Sequence, residues 1–275
     1  MVASSPLDYT VFRDFLEDAC GILLGENKQY LVTSRLSKLM AKHQIDSLSE
    51  LVKRMQQISQ RRLKEEVVDA MTTNETLWFR DAHPFNIFKN QLLPEWQKNR
   101  HGSVRVWSAA CSSGQEPYSL SMLVEEYRTA AMTGLKYPVD IVATDLSPSM
   151  LEQCKKAEYD GLSLGRGLSQ DRLQRFFDQA EGSVWRVKPD VRKRVRFQPL
   201  NLMDSFSVLG KFDVVFCRNV LIYFSAELKV DILRRIHGTL RPGGYLILGA
   251  SEGLAGVKEF YEMVQCNPGI IYRAI

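Results

Sequence analysis

The sequence has no run of about 18 consecutive apolar residues, the length that a membrane-spanning helix needs. Its first residues lack the basic and apolar regions of a signal peptide. The five cysteines are odd in number, far apart and never in a C-x-x-C pair, which argues against a disulfide framework and a zinc site, and the four histidines are dispersed. We therefore expect a soluble cytoplasmic protein with no metal and no direct membrane insertion.

Charge is distributed unevenly along the chain. Between residues 26 and 64 there are nine Lys or Arg residues against three Asp or Glu, whereas the net charge of all 275 residues is only +4. Apolar residues recur at helical spacing in this basic N-terminal part, for example Val32, Leu36 and Met40. The spacing predicts several short amphipathic helices, with Asn27 and Ser47 as N-caps.

Three cations lie on one stripe of the second predicted helix. Arg35, Lys38 and Lys42 occur at positions i, i+3 and i+7, beside the apolar stripe. One interpretation is an ordinary solvated helix face. The other is a docking surface for an acidic partner, either nucleic acid or an anionic protein helix.

The pattern changes after Arg80, where strand-like runs begin to alternate with helical segments. Strands are predicted at residues 104–109, 139–145, 194–202, 212–218, 245–250 and 269–273. The alternation predicts an α/β fold whose mainly parallel sheet is covered by helices on both faces. Ligands of such sheets bind beyond the carboxyl ends of the strands, so chemistry is expected there.

The turn within residues 107–119 follows the first predicted strand and precedes a helix. Ala110, Ser112 and Gly114 place small side chains at alternate positions, which lets the backbone turn tightly and approach a bound nucleoside. Plain packing between strand and helix is the alternative explanation. The sequence of the turn alone does not separate the two.

Two further strand ends carry polar groups. Asp145 ends an apolar strand, where a carboxylate can accept hydrogen bonds from both ribose hydroxyls of a nucleoside; it could equally cap the helix that follows. Another apolar strand runs directly into Arg218 and Asn219, with Tyr223 four residues later. Buried polar groups of this kind are costly unless they have partners.

Several motifs follow one another along the chain: Asn-Glu-Thr-Leu-Trp-Phe-Arg at 74–80, the turn at 107–119, Ala-Thr-Asp at 143–145, Asn-Leu at 201–202, Cys-Arg-Asn-Val-Leu-Ile-Tyr-Phe at 217–224 and Leu-Arg-Pro-Gly-Gly at 240–244. Together they resemble the bacterial chemotaxis receptor methyltransferase (CheR) family, over residues 9–272 and in family order. The resemblance implies a Rossmann-like class I methyltransferase domain at 83–275 with a mainly parallel seven-stranded sheet. It also implies a helical N-terminal docking domain and linker at 1–82, and an antiparallel β-subdomain inserted at 158–197.

The family methylates glutamate side chains on the cytoplasmic helical bundle of chemoreceptors, using S-adenosylmethionine and releasing S-adenosylhomocysteine. By resemblance, Asp145 holds the ribose, Glu116 accepts from the cofactor's ammonium or nearby donors, and Arg80 and Tyr223 are catalytic. Arg80 would face a carboxylate of either the cofactor or the substrate. The cofactor-binding residues implied are Asn74, Thr76, Arg80, Ala110, Gly114, Glu116, Asp145, Asn201, Leu202, Arg218 and Asn219, with Asn201 and Leu202 beside the adenine.

The resemblance favours the docking interpretation of Arg35, Lys38 and Lys42, because receptor methylation helices are rich in Glu. Some members also bind a C-terminal receptor pentapeptide on the β-subdomain. The loop at 178–184 is shorter than in those members and has one glycine, which predicts independence from the pentapeptide. We expect a monomer recruited to receptor arrays, and regulation by an adaptor stays open. The alternatives are a nucleic-acid methyltransferase, although no base-flipping tetrad or exposed aromatic stacking platform is present, and a non-catalytic cofactor-binding module.

Overall fold

Helices alone form the N-terminal part of the chain in the computed structural model, which describes residues 6–99, 102–130, 135–254 and 256–275. They are α1 (Pro6–Cys20), α2 (Gln29–Lys42), α3 (Leu48–Met55) and α4 (Arg61–Met71). Phe12, Leu36, Leu51 and Val67, one from each helix, meet in a separate apolar core with no solvent exposure. The predicted amphipathic helices are thus confirmed, since each buries its apolar stripe in this shared core.

One of the two predicted caps in this part is correct. Ser47 precedes α3 and its hydroxyl accepts a hydrogen bond from the backbone N–H of Glu50. Asn27 is not a cap: α2 begins at Gln29, and Lys28 occupies the N-cap position without a side-chain hydrogen bond. The Asn27 prediction was therefore wrong.

Strands and helices alternate in the rest of the chain. The strands are β1 (Val104–Ala109), β2 (Val139–Asp145), β3 (Glu158–Tyr159), β4 (Phe177–Gln179), β5 (Trp185–Val187), β6 (Val195–Pro199), β7 (Phe212–Cys217), β8 (Leu240–Leu248), β9 (Tyr261–Gln265) and β10 (Ile270–Ala274). The helices are α5 (His83–Ile87), α6 (Leu93–Asn99), α7 (Gln115–Ala130), α8 (Pro148–Lys156), α9 (Gly161–Gly165), α10 (Gln170–Phe176), α11 (Pro189–Arg192) and α12 (Ala226–Thr239), and a π-helical turn, Phe88–Leu92, joins α5 to α6.

The main sheet has seven strands in the order β6-β2-β1-β7-β8-β10-β9. The first five strands in this order, β6, β2, β1, β7 and β8, are parallel to one another. Strand β10 is antiparallel to both of its neighbours, β8 and β9. The chain leaves β1 toward one edge and later returns on its other side at β7. The strand order therefore reverses between β1 and β7, and the crevice at such a point is where ligands bind in this class of sheet.

Side chains of the central strands alternate between two apolar cores. On β7, Val214 and Phe216 face one core, whereas Val215 and Cys217 face the other. This period of two is expected of a strand buried on both faces. The predicted α/β fold with a mainly parallel sheet is confirmed.

Two details of the strand prediction needed correction. The edge strand β9 was not predicted, because Glu262 and other exposed residues break its apolar pattern. The interval implied for the β-subdomain, 158–197, also includes the start of β6, but Val195 pairs with Ile141 of β2, so β6 belongs to the main sheet.

A second, small sheet has the order β3-β5-β4 and is antiparallel. It lies within the interval 158–197, as the resemblance implied. Helices α9, α10 and α11 occupy about half of the remaining interval. None of the helices in the described ranges is long and apolar enough to cross a membrane.

Candidate active site

A cavity of about 290 Å³ lies between the helical N-terminal part and the carboxyl ends of β1, β2 and β7. Its position is the one expected from the reversal of strand order. The predicted site residues that line it are Asn74, Thr76, Arg80, Ala110, Glu116, Asp145, Asn201, Leu202, Arg218, Asn219 and Tyr223. The fold therefore brings together residues that are up to 149 positions apart in the chain, counted from Asn74 to Tyr223.

Gly114 is the predicted cofactor-binding residue that does not line the cavity. Its φ is +95°, and a Cβ there would lie 2.9 Å from the Tyr159 hydroxyl and 3.0 Å from Cys154 Sγ. The glycine is needed for the turn and for packing behind it. For this one position, the packing explanation fits the structure better than cofactor contact.

The turn after β1 brings backbone to the cavity at Ala110 and Ser112. Both have positive φ, +61° and +49°. A left-handed conformation is uncommon for residues other than glycine and is held only when surrounding contacts determine it. One such contact is the backbone N–H of Ser112, which donates to Oδ2 of Asp145 at 2.7 Å.

Asp145 is buried at the end of β2. Burial raises the pKa of its carboxyl, and hydrogen bonds from backbone N–H groups oppose this effect. Oδ1 accepts from the Ser147 N–H at 2.9 Å, while the Ser147 hydroxyl itself caps α8 through the N–H of Met150. Each carboxylate oxygen has two acceptor sites, so Asp145 retains capacity for donors in the cavity.

An ion network around the buried Arg218 side chain forms one wall. Nη1 of Arg218 donates to Oε2 of Glu116 at 2.9 Å, and Nη2 donates to Oδ2 of Asp81 at 2.7 Å and to the Arg80 carbonyl at 2.8 Å. Ser108 Oγ donates to the other oxygen of Glu116 at 2.8 Å. Burial raises the pKa of Glu116, and Arg218 opposes the shift.

Among the residues that the structure describes, Arg218 Nε finds no hydrogen-bond partner, although the Arg218 side chain is only 2% exposed. An unsatisfied buried donor needs an explanation, such as an acceptor supplied by a ligand or water. Arg218 lines the cavity, and a ligand group or a water that reaches Nε would supply this acceptor.

Arg80 lies in a segment of unusual backbone geometry. Phe79, Asp81 and Ala82 all have positive φ, between 47° and 67°. The Arg172 guanidinium stacks 3.7 Å from the centre of the Phe79 ring, and the Phe79 N–H donates to Ser119 Oγ at 3.2 Å. These contacts hold the strained segment in place. Arg80 itself is half-buried and donates to the Glu75 carbonyl at 3.1 Å.

The helical part closes the cavity from the other side. The Leu23 N–H, in the loop between α1 and α2, donates to the Tyr223 carbonyl at 2.9 Å. Asn201 Nδ2 donates to the Ala19 carbonyl at the end of α1, also at 2.9 Å. Asn201 therefore joins the two parts of the chain as well as lining the cavity.

The three predicted docking cations differ in their surroundings. Arg35 lines the cavity and donates to the carbonyls of Met71 and Thr72 at 2.6 and 3.2 Å, so its charge is turned inward. Lys42 is exposed but pairs with Glu66 at 2.9 Å. Lys38 is exposed, and no ion-pair partner for it occurs in the described part of the chain.

Glu252 was not identified from the sequence. Its carboxylate accepts hydrogen bonds from four backbone N–H groups, three of them in the segment between β7 and Tyr223. The sequence did contain a signal for it, because Glu252 is an acidic residue three positions after Gly249, where a buried strand ends. Asp145 is likewise an acidic residue at the end of a buried strand. In the ranges given above, no group of three or more His, Cys, Asp and Glu side chains could hold a metal ion.

Two family models match the chain, one for each part. "CheR methyltransferase, all-alpha domain" matches residues 7–72, and "CheR methyltransferase, SAM binding domain" matches residues 74–270. The proposed division at residue 82 remains a prediction.

Bacterial relatives match over the full length. Chemotaxis protein methyltransferase Cher2 of Pseudomonas putida is 61% identical over 274 residues, covering 99% of this chain and 100% of that protein. Chemotaxis protein methyltransferase 1 of Pseudomonas aeruginosa is 62% identical over 275 residues, with the same coverage. The Vibrio parahaemolyticus chemotaxis protein methyltransferase is 52% identical over 272 residues, covering 99% and 98%. The chain therefore belongs to the CheR family of S-adenosylmethionine-dependent chemotaxis protein methyltransferases.

Proposed function

We propose that this protein transfers a methyl group from S-adenosylmethionine to glutamate side chains of bacterial chemoreceptors. The products are glutamate methyl esters and S-adenosylhomocysteine, and the process is chemotactic adaptation. The observation that carries the proposal is the cavity itself, because both parts of the chain line it and Arg80 and Tyr223 lie in its wall. An acidic side chain approaching along the helical part would reach these two residues.

The cavity residues suit the cofactor. Asp145 retains acceptor capacity for ribose hydroxyls, Glu116 is an acceptor for an ammonium, and Arg218 carries an Nε–H donor that has no acceptor within the described part of the chain. Asn201 and Leu202 would lie beside the adenine. When bound, S-adenosylmethionine supplies an activated methyl group on a sulfonium.

The acceptor needs little activation by the protein. A glutamate carboxyl has an ordinary pKa of about 4.3, so at neutral pH it is already the ionised nucleophile and no general base is required. The protein has to align the carboxylate and keep water away, which lowers a barrier by several kcal/mol. We assign Arg80 and Tyr223 to that positioning, since the planar fork of Arg can hold a carboxylate through two hydrogen bonds.

Receptor docking would use the exposed face of α2. Lys38 is exposed there and has no ion-pair partner among the described residues. Lys42 is 61% exposed although it pairs with Glu66. Both complement the acidic helices of a receptor bundle. Arg35 contributes from inside, by holding the start of the segment that leads to Asn74. Docking would recruit the enzyme to receptor arrays at the membrane.

Labelled S-adenosylmethionine and receptor-containing membranes provide the test. The expected result is base-labile label on the receptor, which alkali releases as methanol. Alkali-stable label on nucleic acid would instead identify a nucleic-acid methyltransferase. No label at all would identify a non-catalytic binding module. The Asp145→Asn variant should lose labelling. Asp140→Asn, at the opposite end of the same strand β2, is the matched control and should keep it.

We also propose that the receptor pentapeptide is not needed. Strand β4 is an edge strand of the small sheet, and the loop to β5 is closed tightly by the Ala180 N–H, which donates to the Val184 carbonyl at 2.8 Å. This short loop leaves little backbone to enclose an added strand. Calorimetry with the free pentapeptide should show no binding, and a micromolar affinity would contradict the proposal.

A further inference from the structure

One carboxylate organises the segment that leads from β7 to Tyr223. Glu252 Oε2 accepts from the N–H of Asn219 at 2.7 Å and of Gly249 at 2.8 Å. Its Oε1 accepts from the N–H of Val220 at 3.0 Å and of Leu221 at 2.8 Å. Four backbone donors from two strand ends thus converge on a single side chain.

The conformation that these bonds hold is not one the segment would favour by itself. Asn219 has φ +57°, in the left-handed region. The next residues enter the 3₁₀ turn Leu221–Tyr223, whose last residue lines the cavity. The positions of both Asn219 and Tyr223 in the cavity wall depend on how this short segment is held.

The chemistry of Glu252 suits this purpose specifically. An ionised carboxylate is an acceptor only and has about four lone-pair sites, which matches four N–H donors. A glutamine of the same length would accept at one oxygen and direct its own N–H groups against two of the donors. Space is equally restrictive, because a Cβ on Gly249 would lie 2.6 Å from Glu252 Oε2 and 2.9 Å from the Asn219 nitrogen.

We propose that Glu252 is a positioning residue for methyl transfer, which holds residues 219–221 so that Asn219 and Tyr223 face the cavity. This inference rests on the proposed function for its catalytic consequence. Glu252 does not line the cavity, so it acts through the backbone that it binds.

The Glu252→Gln variant tests the inference, with Glu259→Gln as the matched control. Glu259 is exposed and has no hydrogen-bond partner in the part of the chain that the structure describes. Amide hydrogen exchange should become about tenfold faster in the first variant at the two amides that lose their acceptor, either Asn219 with Gly249 or Val220 with Leu221, as expected for the loss of one hydrogen bond each. It should not change in the control.

Kinetics supply the second readout. Calorimetry gives the fraction of molecules that bind S-adenosylmethionine, and kcat for receptor methylation is divided by that fraction. In Glu252→Gln this corrected kcat should fall about 10²-fold, as expected for a displacement of about 1 Å at a reacting centre. The affinity for S-adenosylmethionine should change far less. A purely structural role would lower the binding fraction but leave kcat per binding site at the wild-type value, and that result would overturn the inference.

A second variant guards against misfolding. Glu252→Asp keeps the charge but is one methylene shorter, and should recover part of the kcat that glutamine loses. Equal defects in both variants would count against the carboxylate. Unprotected amides at 219–221 in the wild-type enzyme would also overturn the inference. If the wild-type enzyme labels no receptor, the proposed function is wrong. The exchange data would then still decide whether Glu252 holds this segment.

Discussion

Arg218 Nη1 lies 2.9 Å from Glu116 Oε2, and this ion pair joins the end of β7 to the first turn of α7. The Arg218 side chain is 2% exposed and that of Glu116 is 12% exposed. Asp81, from the strained segment after Arg80, pairs with the same guanidinium at 2.7 Å. One arginine therefore connects three chain segments that meet at the cavity.

Replacing Arg218 should destabilise the fold as well as the site. Arg218→Met leaves Glu116 buried without its cation, and breaking a buried pair from one side costs about 3 kcal/mol. Urea denaturation should show a loss of this size in the free energy of unfolding. Arg196→Met, at an exposed position on β6, should change it by less than about 0.5 kcal/mol. Equal stability of the two variants would contradict the network.

Gly114→Ala separates packing from cofactor binding. The added Cβ meets the Tyr159 hydroxyl and Cys154 Sγ, and φ of +95° adds strain, so we expect a loss of about 1–3 kcal/mol in the free energy of unfolding. The affinity of the folded variant for S-adenosylmethionine should persist in calorimetry. Gly161→Ala is the control, because nothing lies within 4 Å of its added Cβ. A stable Gly114→Ala variant that fails to bind would restore the cofactor role.

Glu66 should make stability depend on pH in the acid range. Hydrogen bonds from His43 and Lys42 lower the pKa of its carboxyl from about 4.5 to about 2. A carboxyl with a lowered pKa stabilises the fold above its unfolded pKa, and this contribution is lost as pH falls from about 4.5 to about 2.

The measurement is urea denaturation of wild type and Glu66→Gln between pH 5 and pH 2. Wild type should be the more stable at pH 5, and the difference should shrink toward zero at pH 2; partial exposure of Glu66 keeps the effect modest. Glu259→Gln should show no such trend. A difference that stays constant over the range would be evidence against these hydrogen bonds.

Tyr223→Phe should slow methyl transfer without preventing cofactor binding. The variant removes only the hydroxyl of a residue that lines the cavity, and losing one hydrogen bond to the reacting groups corresponds to about a tenfold fall in kcat. Label transfer to receptors measures kcat, and calorimetry measures the affinity for S-adenosylmethionine. An unchanged methylation rate would argue against Tyr223 as a positioning residue.

Lys38→Glu should weaken receptor docking in a way that depends on salt. Reversing an exposed charge on α2 places it against an acidic partner, which should raise KM for receptors at about 0.05 M salt. The increase should diminish at about 0.5 M, because screening shortens the range of the repulsion. Lys258→Glu, exposed near the C-terminal end of the chain, should leave KM unchanged at both salt concentrations. Equal KM values for the two variants would contradict docking on α2.

Much of the site could be predicted from local sequence. Asp145, Arg218 and Asn219 follow apolar strands directly, and parallel strands place their carboxyl ends at one edge. The helical spacing of the N-terminal part likewise indicated several amphipathic helices. Arg35 could not be interpreted in this way, because its position on a charged stripe is the same whether its guanidinium faces solvent or the carbonyls of Met71 and Thr72.

The sequence by itself determined the α/β alternation, the helical N-terminal part and the polar residues at the strand ends, since these follow from periodicity and residue chemistry within short windows. Only the tertiary structure decided that Gly114 packs against Tyr159 and that Glu252 holds the segment before Tyr223. The physical reason is that such a contact depends on where distant segments of the chain come together. Burial of the whole apolar core determines that arrangement, and the two residues in contact do not determine it by themselves.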